Sequence, residues 1–518
     1  MSADTIIPLH EYDCMPLLTT IFLTILLKYD RVLDPEALRK SLIQLIDRDG
    51  WRKLGARLKQ DAKGNLVYHV PAAFDESNPA ITFTHIHHDM AMADHPLARQ
   101  IPSPTSGPGK ERPAVVLDMA KIAPLTRRSD APHTMAEFIA RDLPQLELHV
   151  VTFRDGTTVG ISFLHSLLDG MALGGLLSAW SLILHGRADE VPAVCGGDDD
   201  DALSRLRHLH NAKAQDDDDD NNNAKTPAAP VAYKHARYVM GRLATLRFVL
   251  GRAWEFFRYR QEEVRAVRVP GSFVTRMREA TLQELAAAAA EGSTGESSSV
   301  KEKPWVSEGD VLVAWWSRYA TLQYAHRPDK PIIVTNAFSM RKALAGTLLP
   351  ALPRDGGRPT VYLANCVTGL NVYTTIRSLT AATAQTAAAV RRSIVELGTL
   401  EQLAAMHALC LKDPRKLWKM RFAGLPTAHM AIFTNWTQAL FHQVDLAPAA
   451  VAGEGWPEGQ EGQVVPSFVG SHMNSRVWPL RDQFVIIGKD SQGDYWLSGT
   501  LRKGLWANIE QELDKERL

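Results

Sequence analysis

Leu146-Glu-Leu-His-Val-Val-Thr-Phe153, Arg154-Asp-Gly156, Thr158-Val-Gly-Ile-Ser-Phe-Leu164 and His165-Ser-Leu-Leu-Asp-Gly170 follow one another with scarcely a gap. Two runs rich in β-branched and apolar residues around an Asp-Gly turn predict a hairpin. Met171 to Leu184 follows as an apolar helix. His165 therefore stands where a strand gives way to a turn and a helix, the place where open α/β sheets carry reactive groups. A neutral imidazole, with an ordinary pKa of about 6.5, takes a proton from a hydroxyl or amine at cellular pH. Asp169 lies four residues on, and Gly170 permits a tight turn or a close backbone approach. A histidine followed by Asp-Gly also occurs in purely structural settings, so the surrounding chain has to decide between the readings.

Toward the N-terminus, Asp34-Pro-Glu-Ala-Leu-Arg-Lys-Ser-Leu-Ile-Gln-Leu-Ile-Asp47 places apolar residues at helical spacing behind a capping Asp. Asn65 to Val70 and Ile81 to Ile86 read as strands. Met15 to Leu27, the most apolar stretch, contains Pro16 and is shorter than a bilayer span, so it is expected to be a buried strand. Beyond the hairpin the composition breaks at Gly196-Gly-Asp-Asp-Asp-Asp201. It breaks again at Asp216 to Asn223, five Asp followed by three Asn. Such runs bury no apolar surface and predict a disordered acidic linker. The expected division is 1–193, a linker at 194–232, and 233–518.

In the second half, helices are predicted at Tyr238 to Glu262, Glu279 to Ala290, Glu308 to Tyr324 (with Ser307 as its cap) and Val372 to Leu397. A Ser/Gly/Glu-rich loop is expected from Gly292 to Lys303. Pro331 to Asn336 reads as a strand, and Phe484 to Gly488 with Tyr495 to Gly499 as a hairpin. The arginines of the first helix recur at five-residue steps, turning by roughly 140° each time, and so form no single face. An interdomain helix is expected there, not a membrane-surface one. Helices alternating with mixed strands give an α/β (α+β) class.

The length of 518 residues calls for two domains. Lys plus Arg equals Asp plus Glu at 58 each, which gives no electrostatic reason to expect nucleic acid. Cys14, Cys195, Cys366 and Cys410 are far apart and read as free thiols of a reducing compartment. With no basic leader at the start, a cytoplasmic monomer without a membrane partner is expected.

The stretch Leu146 to Trp180 resembles the plant and fungal BAHD acyltransferases. That resemblance extends along the chain. It takes in Asp34 to Leu58, ending in Trp51-Arg-Lys-Leu-Gly-Ala-Arg-Leu, and Ser307-Glu-Gly-Asp-Val-Leu-Val-Ala-Trp-Trp-Ser-Arg318. It continues through Asn336-Ala-Phe-Ser-Met-Arg341, Tyr362-Leu-Ala-Asn365 and Phe433-Thr-Asn-Trp436. As a fungal-like member it is similar to the trichothecene-type O-acetyltransferases. It implies two chloramphenicol-acetyltransferase-like domains, each a mixed sheet flanked by helices, with the active-site channel between them. It also implies transfer of an acyl group, acetyl foremost, from an acyl-coenzyme A co-substrate to a hydroxyl or amine of a small secondary metabolite. No acyl-enzyme and no permanently bound cofactor are implied.

By the same resemblance His165 is the general base. Asp169 turns away from the substrate to pair with Arg341, and Gly170 completes the motif. Trp436, Thr434 and Asn435 would stabilise the developing oxyanion, although Trp436 also reads as plain core. Ser307, Asn365 and Asp445 would serve coenzyme A. The family's Asp-Phe-Gly-Trp-Gly stands here as Asp445-Leu-Ala-Pro-Ala449, which lacks both glycines. Two other readings stay open. One is a condensation-type enzyme using carrier-protein thioesters, against which Leu164 stands where such domains carry a further histidine. The other is an inactive member acting as a binding protein. His85, His87 and His88 suggest zinc, but a strand puts His88 on the face opposite the other two, so no metal is expected.

Overall fold

The structure, a computed structural model, describes residues 4–103, 111–198, 200–212, 231–291, 303–351, 360–411, 416, 420–452, 462–475 and 480–516. The hairpin forms as its sequence predicts. Strands Leu146–Thr152 and Thr157–Leu164 pair antiparallel, with Phe153 N–H bonded to the Gly156 carbonyl across the turn. All eight residues of Thr157–Leu164 are buried, so each of its polar side chains needs a partner. Thr157 Oγ1 accepts from Leu33 N–H, Thr158 donates to the Leu125 carbonyl, and Ser162 bonds Thr24.

This strand sits in the middle of a five-stranded sheet ordered Phe468–Asn474, Phe22–Tyr29, Thr157–Leu164, Leu146–Thr152, Thr82–His87. Helix Gly170–Leu184 packs with Pro35–Ile46. The Asp34 side chain caps the latter through Glu36 N–H. A seven-stranded sheet runs Val367–Thr375, Pro331–Ser339, His429–Asn435, Gln483–Lys489, Tyr495–Arg502, Glu262–Val269, Ala114–Asp118. Behind it helix Glu308–Ala320 packs with Thr383–Leu397 and Gly271–Glu291. The mixed α/β class is as the sequence implies.

Several expectations are corrected. The strand expected from Met15 begins only at Phe22, because Leu18–Thr20 makes a short 3₁₀ turn after Pro16. Val372–Leu397 is not one helix. Val372 to Thr375 end a strand whose β-branched residues pair with Pro331–Ser339, and two helices, Ile376–Ala381 and Thr383–Leu397, follow around an extended Ala382. The helix expected from Glu279 starts at Gly271. The one expected over Tyr238 to Glu262 is Arg242–Arg258, and its Arg252 and Phe248 reach Asp482 and Phe422, both in the second half of the chain. It is thus anchored on one half rather than bridging two.

The boundary expected at 193/194 is crossed in both directions. Ala114–Asp118 from the first half completes the seven-stranded sheet, and Phe468–Asn474 from the second half edges the five-stranded one. Nor is the start of the expected linker loose chain, since Ala202, Leu203 and Leu206 are buried in a core cluster with Tyr233 and Met340. Asp216 to Asn223 and almost all of the loop from Gly292 to Lys303 lie outside the described residues.

Gly160, in the central strand, faces the Thr126 backbone so closely that a β-carbon there would overlap the Thr126 carbonyl. Gly160→Ala is therefore expected to destabilise the protein by about 1–3 kcal/mol, as overpacked cores do, measured as a lower urea midpoint at unchanged slope.

Candidate active site

His165 follows directly on the buried strand Thr157–Leu164, and its N–H bonds the Ile21 carbonyl. The next residues turn, and Asp169 becomes the cap of helix Gly170–Leu184. Its Oδ1 accepts from Met171 and Ala172 N–H at 3.1 and 2.9 Å. The same carboxylate takes two parallel bonds from Arg341, at 2.8 Å to Oδ2 and 2.9 Å to Oδ1, and a further bond from Cys366 N–H at 2.9 Å. Burial alone would favour the neutral acid, but the Arg341 charge and these donors outweigh it and hold Asp169 below the usual carboxylate range. Arg341 is satisfied in turn by the Ala364 and Tyr362 carbonyls.

The structure thus brings together Asp169 and Arg341 from opposite halves of the chain. It adds Asp13 and Lys53, which spacing does not reveal, and sets Asn365 behind His165. Asn365 Nδ2 donates to the His165 carbonyl and to Asp13 Oδ1, both at 2.8 Å. Asp13 also accepts Asn365 N–H, and its other oxygen lies 3.5 Å from Lys53 Nζ. Lys53 donates further to the Leu363 and Gly196 carbonyls. Asp13, Lys53 and Asn365 are all buried. This chain of bonds fixes the His165 backbone from behind.

The imidazole lies on a cavity of about 370 Å³ lined by residues of both halves, including Tyr12, Ile21, Met171, Thr335, Met430, Thr434, Asn435 and Trp436. Six methionines, Met15, Met171, Met406, Met420, Met430 and Met473, share that wall, which gives it an apolar and adaptable surface. His165 Nδ1 is sealed from solvent and makes no hydrogen bond of good geometry among the described residues, so Nε2 is the ring nitrogen left to the cavity. Burial lowers the His165 pKa below its ordinary value, and its own carbonyl and Asp169 only partly offset this. The ring is neutral at cellular pH.

Gly170 is required by its neighbour, because a β-carbon there would overlap the Trp436 indole nitrogen. Trp436 is buried and edges onto Phe441, and its N–H donates to no described residue. Thr434 and Asn435 also reach the cavity, and Asn435 Oδ1 accepts Thr437 N–H at 2.9 Å.

The residues expected to serve coenzyme A are not on this wall. Ser307 and Asp310 form a capping box at the start of Glu308–Ala320, with Arg391 bonded to both. Asn365 lies beneath His165. The Asp445 carboxylate accepts Ala447 and Val464 N–H and lies 3.4 Å from His185, while its carbonyl accepts from Ser181. In place of the two missing glycines, these bonds staple the loop to the end of helix Gly170–Leu184. His85 and His87 both bond the Thr152 hydroxyl, and His88 stacks on Phe153.

No family model matches the sequence. The chain is 33% identical to a Penicillium decumbens protein named transcriptional regulator calD, over 99% of this chain and 96% of that one. It is 32% identical to the acetyltransferase adrJ of Penicillium rubens, again over 99% and 96%. Among solved structures it resembles F. graminearum TRI101, crystallised with coenzyme A and T-2 mycotoxin, with a TM-score of 0.63 over 99% of this chain and 98% of that one. At 13% identity that likeness is one of fold.

Arg341→Ala leaves the Asp169 charge buried without its partner, an expected loss of about 3–5 kcal/mol in urea unfolding at neutral pH. Because the folded pKa of Asp169 is depressed, its stabilising effect is present above the unfolded carboxylate pKa and lost as pH falls through the folded one. The stability gap between the wild type and Asp169→Asn should accordingly narrow below about pH 4.

Proposed function

The chain belongs to the BAHD-type family of coenzyme A-dependent acyltransferases, in its fungal branch, and from that premise we propose its reaction and the role of each site residue. It carries an acyl group, acetyl foremost, from coenzyme A to a hydroxyl or amine of an apolar small molecule, a fungal secondary metabolite. It does so as a cytoplasmic monomer. The observation that carries this reading is the neutral His165, presenting Nε2 to an apolar cavity while its backbone is held from behind by Asn365 and its turn by the Asp169–Arg341 pair.

In this reading His165 keeps its own proton on Nδ1, toward its backbone carbonyl, and Nε2 takes the proton of the acceptor O–H or N–H. The acceptor heteroatom forms its bond to the thioester carbonyl carbon, and the carbonyl electron pair moves to oxygen. Trp436, which lines the cavity and whose N–H donates to no described residue, together with the Thr434 hydroxyl, donates to that oxygen. Asn435 contributes through its amide N–H₂, since its carbonyl oxygen is engaged with Thr437. Collapse of the tetrahedral species breaks the C–S bond, and the proton on Nε2 passes to the departing sulfur. Asp169, Arg341 and Asn365 position His165, and Gly170 makes room for the Trp436 indole. Ser307 and Asp445 support the loops beside the site.

One relative bears the name of a regulator of transcription. The zero net charge of this chain and the polar network built around one cavity-facing imidazole favour catalysis over nucleic-acid binding.

The test follows free-thiol release from acetyl-, malonyl- and longer acyl-coenzyme A with a panel of apolar alcohols and amines. Acceptor-dependent release is expected, and His165→Ala should lower it by about 10²–10⁴-fold with the fold intact. Full activity in that variant, or no release from folded wild type with any donor, contradicts the proposal. Since the base works neutral and its pKa is depressed, kcat/KM should hold as pH falls to about 6.5 and decline only below it.

A further inference from the structure

Helix Arg242–Arg258 presents two unlike faces. At about 100° per residue, Phe248, Arg252 and Phe256 fall on one side. Phe248 is buried against Phe422, with ring centroids 5.6 Å apart. Arg252 donates to Asp482 at 3.1 Å and to Glu255 at 2.9 Å, so its charge is matched inside the protein. His429 is buried beside them. These contacts fix the rotation of the helix about its axis.

On the opposite side Leu243, Leu246, Leu250, Trp254 and Phe257 recur every three or four residues. They are 84%, 54%, 59%, 67% and 61% exposed. Single exposed apolar side chains are ordinary, but a continuous row of five on one helix marks a surface that something covers. Arg247 and Arg258 border the row on one flank and Arg242 on the other, and Arg260 follows the helix, stacked 5.0 Å from the Phe257 ring. Among the described residues these four arginines form no ion pair. The only acidic residue of the helix, Glu255, is engaged with Arg252.

A second copy of the chain seated on this row would bring the flanking arginines of both copies together. An anionic surface suits the row and its flanks at once. The helix start is also tied to the cavity: Met240 N–H bonds the Phe422 carbonyl at 2.8 Å, and Val239 bridges to Ala423, in a segment that forms part of the cavity wall.

We propose that Arg242–Arg258 is a membrane-surface helix, which seats its apolar row among the acyl chains of an anionic bilayer with its arginines on lipid phosphates. Aromatic side chains with polar neighbours, such as Trp254 and Tyr259, suit that interface. The docked protein holds the cavity segment Met420 to Ala423 beside the lipid, the phase from which an apolar acceptor arrives. This reverses the sequence-based expectation of no membrane partner, which followed the scattered arginines instead of the continuous apolar row.

The full-length protein is floated with vesicles of phosphatidylcholine and of phosphatidylcholine with phosphatidylserine. Wild type is expected to float with the anionic vesicles, and less with the neutral ones. The combined variant Leu250→Ser/Trp254→Ser/Phe257→Ser, altered only at exposed positions and melting at the wild-type temperature, should lose at least about tenfold of the bound fraction. Arg247→Gln/Arg258→Gln should lose the preference for anionic lipid. Wild type that floats with neither vesicle, or a serine variant that floats as well as wild type, overturns the proposal. So does concentration-dependent self-association abolished by the serine variant in protein that does not float, since the row would then belong to a second copy.

Discussion

Everything at the centre of this protein depends on one buried ion pair. Asp169 comes from the turn after the central strand of the first sheet, and Arg341 from the helical turn that follows a strand of the second. Neither charge could stay in the interior alone, because the desolvation of each is met only by the other and by neutral donors and acceptors placed around them. Two helix N–H groups, the Cys366 N–H and two backbone carbonyls complete that set. Joining the halves of the chain and fixing the turn that carries His165 are therefore the same act. A pair that is bidentate and saturated has one geometry, and the imidazole inherits it.

A second, smaller network does for the His165 backbone what the ion pair does for its turn. Lys53, Asp13 and Asn365 run from the N-terminal segment to the loop that follows Tyr362, and end on the His165 carbonyl. The site is held by hydrogen bonds from behind, and in front six methionines give the cavity wall an apolar, adaptable surface. The arginine-flanked apolar helix is tied to the same wall.

Local signals in the sequence were legible wherever the determinant lay within a few residues. The Arg154-Asp155-Gly156 turn, the caps at Asp34 and Ser307 and the strand ending at His165 are of that kind, each a hydrogen bond or pattern closed over short range. Asp13 and Lys53 were not legible, since their partners lie in distant segments and no spacing betrays them. The exchange of Ala114–Asp118 and Phe468–Asn474 between sheets was hidden for the same reason. Val372 to Thr375 misled because an Ala/Thr-rich helix follows, and only pairing with Pro331–Ser339 makes those residues a strand. At Asp445 the departure from the family motif was visible, but its consequence, a loop stapled to helix Gly170–Leu184, was not.

The claim on which the rest stands is that Asp169 and Arg341 act on His165 as a unit. A double-mutant cycle on kcat/KM, with Asp169→Asn, Arg341→Met and their combination, tests it most directly. If the pair works as one device, the double variant loses about as much activity as the worse single variant. Losses that multiply would mean the two residues act independently, which would contradict the account.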